Sequence, residues 1–233
     1  MKKITSVLFL FYCFSVGWAQ TVPPCTLEIT DAETFARDWT VIDVNSDVSA
    51  NTWAYNDGNA MYTQDKSNAA DDWLIAPAVT LEAGKAYKVS AYVKHSSTFG
   101  SDKQKIELKI GTAPTVEGLT TRLVYDESFQ SRLFVEKSGT FSPAESGVFY
   151  VGLRCYSESY NGDLYFQKIV IEEAPVYPAQ ITDLSIVAGE RGAMSATLSW
   201  TWPSSDHLGG ALSNLLGAKI YRGTDLVATL DTA

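Results

Sequence analysis

The run Asp43-Val44-Asn45-Ser46-Asp47 holds the plainest chemistry in this sequence. Asp43, Asn45 and Asp47 place three oxygen-bearing side chains at alternate positions, a spacing that lets a loop fold them around a hard cation. Calcium takes six to eight oxygens at about 2.3–2.6 Å. The pattern is similar to the opening of an EF-hand loop, but Val48 stands where a glycine must turn the chain and Ala54 where a bidentate glutamate belongs. An EF-hand is excluded, and two readings stay open: a calcium ligand set or a solvated polar loop. A second chemistry lies in flat rings near expected turns, at Trp53, Tyr55, Tyr62, Tyr156 and Tyr160. Such rings stack on sugar faces when exposed and fill a core when buried.

Catalytic patterns are thin. With 27 carboxylates, close pairs arise by chance, so a glycosidase dyad among Asp57, Asp71, Asp72, Glu136 or Asp163 has no spacing behind it. His95 and His207 are the two histidines. There is no HExxH, no GxSxG and no glycine loop suited to phosphate. A zinc site lacks a third and fourth ligand at recognisable spacing. The expectation is a chain that is not an enzyme, with any activity of a parent protein encoded beyond Ala233.

Lys2 and Lys3, an apolar run from Val7 to Val16 and small residues at Gly17 and Ala19 read as a secretory signal peptide over 1–19. The run is too short for a spanning helix, so no membrane insertion is expected after cleavage. Tyr12 and Pro24 precede Cys13 and Cys25 where lipid attachment needs a small residue. Removing the leader takes two lysines and no acid from a chain of net charge −9, leaving a still more acidic surface that repels nucleic acid. In an oxidising compartment Cys25 and Cys155 can pair; the alternative is a buried Cys155 and a loose Cys25.

The elements that must position these groups are strands. Tyr87, Val89, Ala91 and Val93 alternate with Lys88, Ser90, Tyr92 and Lys94, and Ile106, Leu108 and Ile110 alternate with Lys105, Glu107 and Lys109. Phe149, Val151, Leu153 and Cys155 form another inward row. Asn161-Gly162 predicts a tight hairpin turn, with the returning strand at Leu164 to Ile171. Thr30-Asp31-Ala32-Glu33 matches a capping box and predicts one helical turn. Two prolines in Ala174-Pro175-Val176-Tyr177-Pro178 mark a stiff linker at 174–178.

Trp39, the Asp43–Asp47 run, Thr52-Trp53, Asp71-Asp72-Trp73-Leu74-Ile75-Ala76-Pro77 and Leu81-Glu82-Ala83-Gly84-Lys85-Ala86-Tyr87 together resemble the cleaved-adhesin (choice-of-anchor J) family of Bacteroidetes secreted proteins. The resemblance covers 27–173 and implies an all-β, jelly-roll β-sandwich that binds or spaces and performs no chemistry. It implies a calcium site joining the early acidic loop to an aspartate on the last strand; here Gln167 takes the aspartate's place, beside Lys168. It also implies that Trp39, Trp53 and Trp73 belong to the core.

Pro178 to Leu184, Ala196 to Trp200 and "AKIYRG" at Ala218 to Gly223 resemble the first strands of a fibronectin type III domain, with Trp200 as its core tryptophan. A partial fibronectin type III-like sandwich is expected over 179–233, since such domains need about 90 to 100 residues. The combined expectation is a secreted or cell-surface adhesion module whose partner is an extracellular protein or glycan. The alternative is an accessory module of a protease or glycoside hydrolase.

Overall fold

The computed structural model describes residues 21–45, 51–96, 102–192, 194–212 and 215–231. The expected signal peptide, and Asp47 of the acidic loop, lie outside the described residues.

Alternation decides the architecture. Strands with one apolar row bury that row against a second sheet, and twelve strands here do so as two six-stranded antiparallel sheets, a jelly-roll-like sandwich. In chain order they are β1 (Cys25–Glu28), β2 (Thr40–Asp43), β3 (Trp53–Asn56), β4 (Asn59–Tyr62), β5 (Asp72–Ile75) and β6 (Val79–Leu81). Then follow β7 (Tyr87–His95), β8 (Gln104–Gly111), β9 (Thr121–Phe129), β10 (Val135–Phe141), β11 (Gly147–Cys155) and β12 (Leu164–Glu173). The first sheet runs β10-β7-β12-β4-β3, with β1 also on β12; the second runs β2-β5-β11-β8-β9, with β6 also on β11.

Long strands act as spines for short ones. One edge of β12 is shared, residues Leu164 to Phe166 pairing with β4 and Lys168 to Ile171 with β1. Gln167 falls in the gap, where the β12–β7 register shifts in a bulge. The inward rows expected from alternation are present: Val89, Ala91, Val93, Ile110, Val151, Cys155, Phe166 and Ile171 are fully buried. Trp39, just before β2 of the second sheet, meets Phe166 of the first edge-on at 5.2 Å, and Trp53 meets its cross-strand neighbour Tyr62 at 6.1 Å within the first sheet.

Two local elements differ from the sequence expectation. The helix α1 (Ala32–Asp38) is longer than one turn and is capped by Asp31, whose carboxylate accepts from the Thr34 amide at 2.7 Å. Asn161-Gly162 does not close a hairpin, because β11 and β12 belong to different sheets. It is instead a crossover between them, with positive φ at Tyr160 and Gly162. The two-residue hairpin turn is Asp57-Gly58, joining β3 to β4 with positive φ at both positions, the conformation an Asp-Gly pair tolerates.

Beyond Glu173, β13 (Ser185–Ala188) pairs with β14 (Ala196–Ser199), and β15 (Gly217–Arg222) pairs with β16 (Asp225–Asp231). These are two separate hairpins. Trp200 corrects the expectation of a core tryptophan: it is half-buried and packs edge-on against Trp202 at 5.6 Å. No apolar residue of this segment joins the buried core among the described residues.

Candidate functional site

The two sheets present very different outer faces. On the first, β7 points Lys88, Ser90, Tyr92 and Lys94 away from the core, as its alternation requires. Tyr165 stands opposite Lys94 and Lys168 opposite Tyr92 on β12. The Lys94 ammonium lies 4.8 Å from the ring centre of Phe134 and 4.5 Å from that of Tyr165. Lys168 lies 5.2 Å over Tyr92 and 3.9 Å from Glu28. Lys88 pairs with Glu136 at 2.6 Å, and Ser90 donates to the same carboxylate at 2.7 Å. Those two contacts, Lys88 first, hold the Glu136 carboxyl below the usual glutamate range. Lys94 differs from its neighbours: among the described residues it pairs with no carboxylate. The rings and lysine stems of this face stay half-buried, with Glu136, Ser138 and Thr140 exposed along its rim.

The outer face of the second sheet is filled. The connection from β8 to β9 folds back so that Leu119, 2% exposed, sits on Trp73 and Ile75. Gly152 makes room for it, since a Cβ there would meet the Leu119 methyl at 2.4 Å. The rest is an ion-pair and ring network. Arg154 forks Asp71 at 2.7 and 2.8 Å. Glu107, 1% exposed, takes Arg122 at 2.6 Å and faces Lys109 and Arg154 at 3.5 Å each. Tyr156 stacks on Tyr125 at 5.9 Å, Arg122 covers Tyr125 at 4.6 Å, and Arg154 covers Tyr156 at 5.1 Å. Cations already occupy faces of these rings.

The residues singled out from sequence scatter over this framework. Trp53 is 3% exposed and donates its indole N–H to the Asp72 carbonyl at 3.2 Å, so it belongs to the core and not to a ligand surface. Tyr55 also packs on the core. Tyr156 is part of the filled second face, and Tyr160 is exposed on the crossover. The four therefore do not form one site. Asp71 is neutralised by Arg154, Glu136 by Lys88, and Asp163 accepts from the Gln64 amide at 3.0 Å, so these carboxylates serve structure.

Cys25 and Cys155 are free thiols. Cys25 pairs with Ile171 near the far end of β12. Cys155 lies at the other end, 3.3 Å from Gln104 Oε1, whose amide in turn donates to Asn161 and Gly162 just before β12 begins. At about 3.3 Å per strand residue the two cysteines are roughly 20 Å apart, beyond the reach of a disulfide. Of the two alternatives the structure has the second: a buried Cys155, whose thiol pKa burial pushes up to about 12, and a half-buried Cys25. His95, 1% exposed, also clasps the crossover: its Nε2 lies 2.5 Å from the Asn161 carbonyl, which can only accept, so that nitrogen carries the proton.

For the calcium ligands, Asp43 ends β2 directly opposite Asp72 on β5, and Asp72 is 1% exposed. Asn45 donates its amide to the Ala69 carbonyl at 2.7 Å. Gln167 sits in the other sheet, at the β12 bulge, so the expected set is split between the two layers. Among the described residues no group of three or more His, Cys, Asp and Glu is gathered as a metal site. Burial of Asp72 was not readable from sequence, where it stood as one carboxylate in "DDW".

Fold and faces define an all-β sandwich with a ring-and-lysine surface on its first sheet. Among solved structures the chain is similar to the K3 cleaved adhesin domain of Lys-gingipain from Porphyromonas gingivalis W83, with 12% identity and a TM-score of 0.46, covering 62% of this chain and 97% of that one. The K1 cleaved adhesin domain of the same protein is similar at 15% identity and a TM-score of 0.46, covering 65% and 99%. A CBM4 structure is similar at 15% identity and a TM-score of 0.43, covering 64% and 94%. No family model and no curated protein matches the chain. No helix among the described residues is long and apolar enough to cross a membrane.

Proposed function

We propose that this chain is a non-catalytic binding module of the cell exterior, and that the outer face of its first sheet is the binding surface. The observation that carries this reading is the Lys94 ammonium held at the rings of Phe134 and Tyr165 with no carboxylate partner among the described residues, while the matching face of the second sheet is covered by Leu119 and the Glu107 network. Flat rings beside hydrogen-bonding groups suit an extended glycan, whose sugars offer apolar faces and hydroxyls together. The same surface serves an adhesin or an accessory module of a larger protease or glycoside hydrolase. Titration of the chain against a glycan panel, followed by tyrosine and tryptophan fluorescence and calorimetry, tests it. Binding that Tyr165→Ala and Tyr92→Ala abolish supports the reading; a flat response across the panel, or binding indifferent to both substitutions, contradicts it.

Calcium is the proposed stabilising ion, at the β2–β5 end of the sandwich. What supports it is the register of Asp43 against Asp72, two carboxylates on facing positions, one of them buried. Such a pair repels itself, and a hard cation offsets that repulsion. Asp43, Asn45 and Asp72 would hold the ion. Calcium should raise the melting temperature of the wild type and not of Asp72→Asn; equal behaviour of the two proteins, or no shift on adding calcium or chelator, would sink the proposal. We read the segment after the 174–178 linker as the opening strands of a fibronectin type III-like sandwich, a reading its two hairpins support.

A further inference from the structure

Resting on that reading, we infer that the glycan recognised by the first-sheet face is acidic, and that Lys94 is the group that selects it. The charged side chains of this face and its rim include Lys88, Lys94, Lys168, Glu28, Glu136, Glu172 and, two residues before Tyr165, Asp163, whose carboxylate accepts from the Gln64 amide at 3.0 Å. Lys88 is answered by Glu136 at 2.6 Å and Glu172 at 4.0 Å, and Lys168 by Glu28 at 3.9 Å. Lys94 has no such answer among the described residues; its ammonium faces two rings instead. On a chain of net charge −9, an uncompensated cation on a sheet face is the place where an anion gains most.

The rings explain how the charge is kept ready. An ammonium held at two ring faces loses side-chain freedom before a ligand arrives, so less is lost on binding. Ring quadrupoles attract the cation without neutralising it and without taking its N–H donors into a carboxylate pair. Three ammonium donors can then meet the oxygens of a sugar carboxylate or sulfate. The register supplies the rest of the subsite. Tyr165 stands opposite Lys94, and Tyr92 is the next outward residue along β7, so an extended chain lying across β7 and β12 meets charge and ring area in succession. Gln167, at the bulge between Phe166 and Lys168, adds a neutral amide on the same strand.

The test uses the full chain and defined oligosaccharides: oligogalacturonate, the same oligomer fully methyl-esterified, and a sulfated galactan oligomer of similar length. Calorimetry at low and moderate salt is run on wild type, Lys94→Gln, Lys94→Arg and Tyr165→Ala, with melting temperatures as a fold control. The inference expects oligogalacturonate to bind at least tenfold more tightly than its ester, with affinity falling as salt rises. Lys94→Gln should lose that preference while Lys94→Arg keeps most of it, since arginine retains both charge and ring contact. Binding of the sulfated oligomer in place of oligogalacturonate assigns the anion as sulfate and supports the same acidic class. Equal affinity for ester and acid, lost in Tyr165→Ala, overturns the acidic assignment and leaves the binding face standing. Absence of binding to all three and to the wider panel overturns both.

Discussion

The outer faces of the two sheets are built from the same alphabet, rings with cations over them, and are finished in opposite ways. On the second sheet every cation has an acid: Arg154 has Asp71, Arg122 has Glu107, and Lys109 lies 3.5 Å from Glu107. Leu119 covers the remaining apolar area over Trp73. On the first sheet Lys94, among the described residues, is left to its rings. A cation paired to a buried acid is spent on holding the fold, whereas a cation held only by rings keeps its charge for a ligand. Ring and cation content alone therefore does not mark a binding surface; the acid that does or does not accompany the cation marks it.

Substitutions on the filled face should cost stability and spare binding, and those on the open face should do the reverse. Leu119→Ala empties a buried leucine site and should lower stability by about 3 kcal/mol, measured by denaturant unfolding, with glycan affinity unchanged. Arg154→Met removes the fork on Asp71 and one of the cations facing buried Glu107; a loss of about 2 kcal/mol is expected, again without effect on binding. If either substitution weakened binding as strongly as Tyr165→Ala, the division between the faces would fail. Tyr165→Ala itself should cost only about 1 kcal/mol of stability while removing binding.

The smallest effect concerns acid. Glu136 is held below its ordinary range by Lys88 and Ser90, so its contribution to stability is present above the unfolded-state value and disappears as pH falls through the lower folded value. Between about pH 5 and pH 2 the unfolding free energy of the wild type should therefore fall slightly more steeply than that of Glu136→Gln. Parallel curves would show that this open-face pair, half-exposed as it is, contributes nothing measurable.

Much of the layout was legible in the sequence and the pairing was not. Alternation alone placed Val89, Val93, Ile110, Val151 and Cys155 inward and Tyr92 and Lys94 outward, as found. What alternation cannot supply is the neighbour across the strand: Lys94, Tyr165 and Phe134 lie far apart in the chain, and only the β7–β12 register joins the first two. The same blindness hid the buried position of Asp72 opposite Asp43. Asn161-Gly162 carries a true turn signal, yet the chain uses it to change sheets. Distant side chains, His95 and Gln104, bind its carbonyls, and no local pattern reports them. Trp53 and Tyr156 were plausible as exposed rings because burial of an aromatic depends on which layer faces it, a property of the assembled sandwich.

The division between the faces is tested most directly by mapping amide chemical-shift changes on the labelled chain as an acidic oligosaccharide is added. Perturbations centred on Tyr92, Lys94, Tyr165 and Lys168, with Arg154, Tyr125 and Tyr156 unmoved, are the predicted result. Shifts gathered on the second sheet's outer face, with Lys94 silent, would contradict the account.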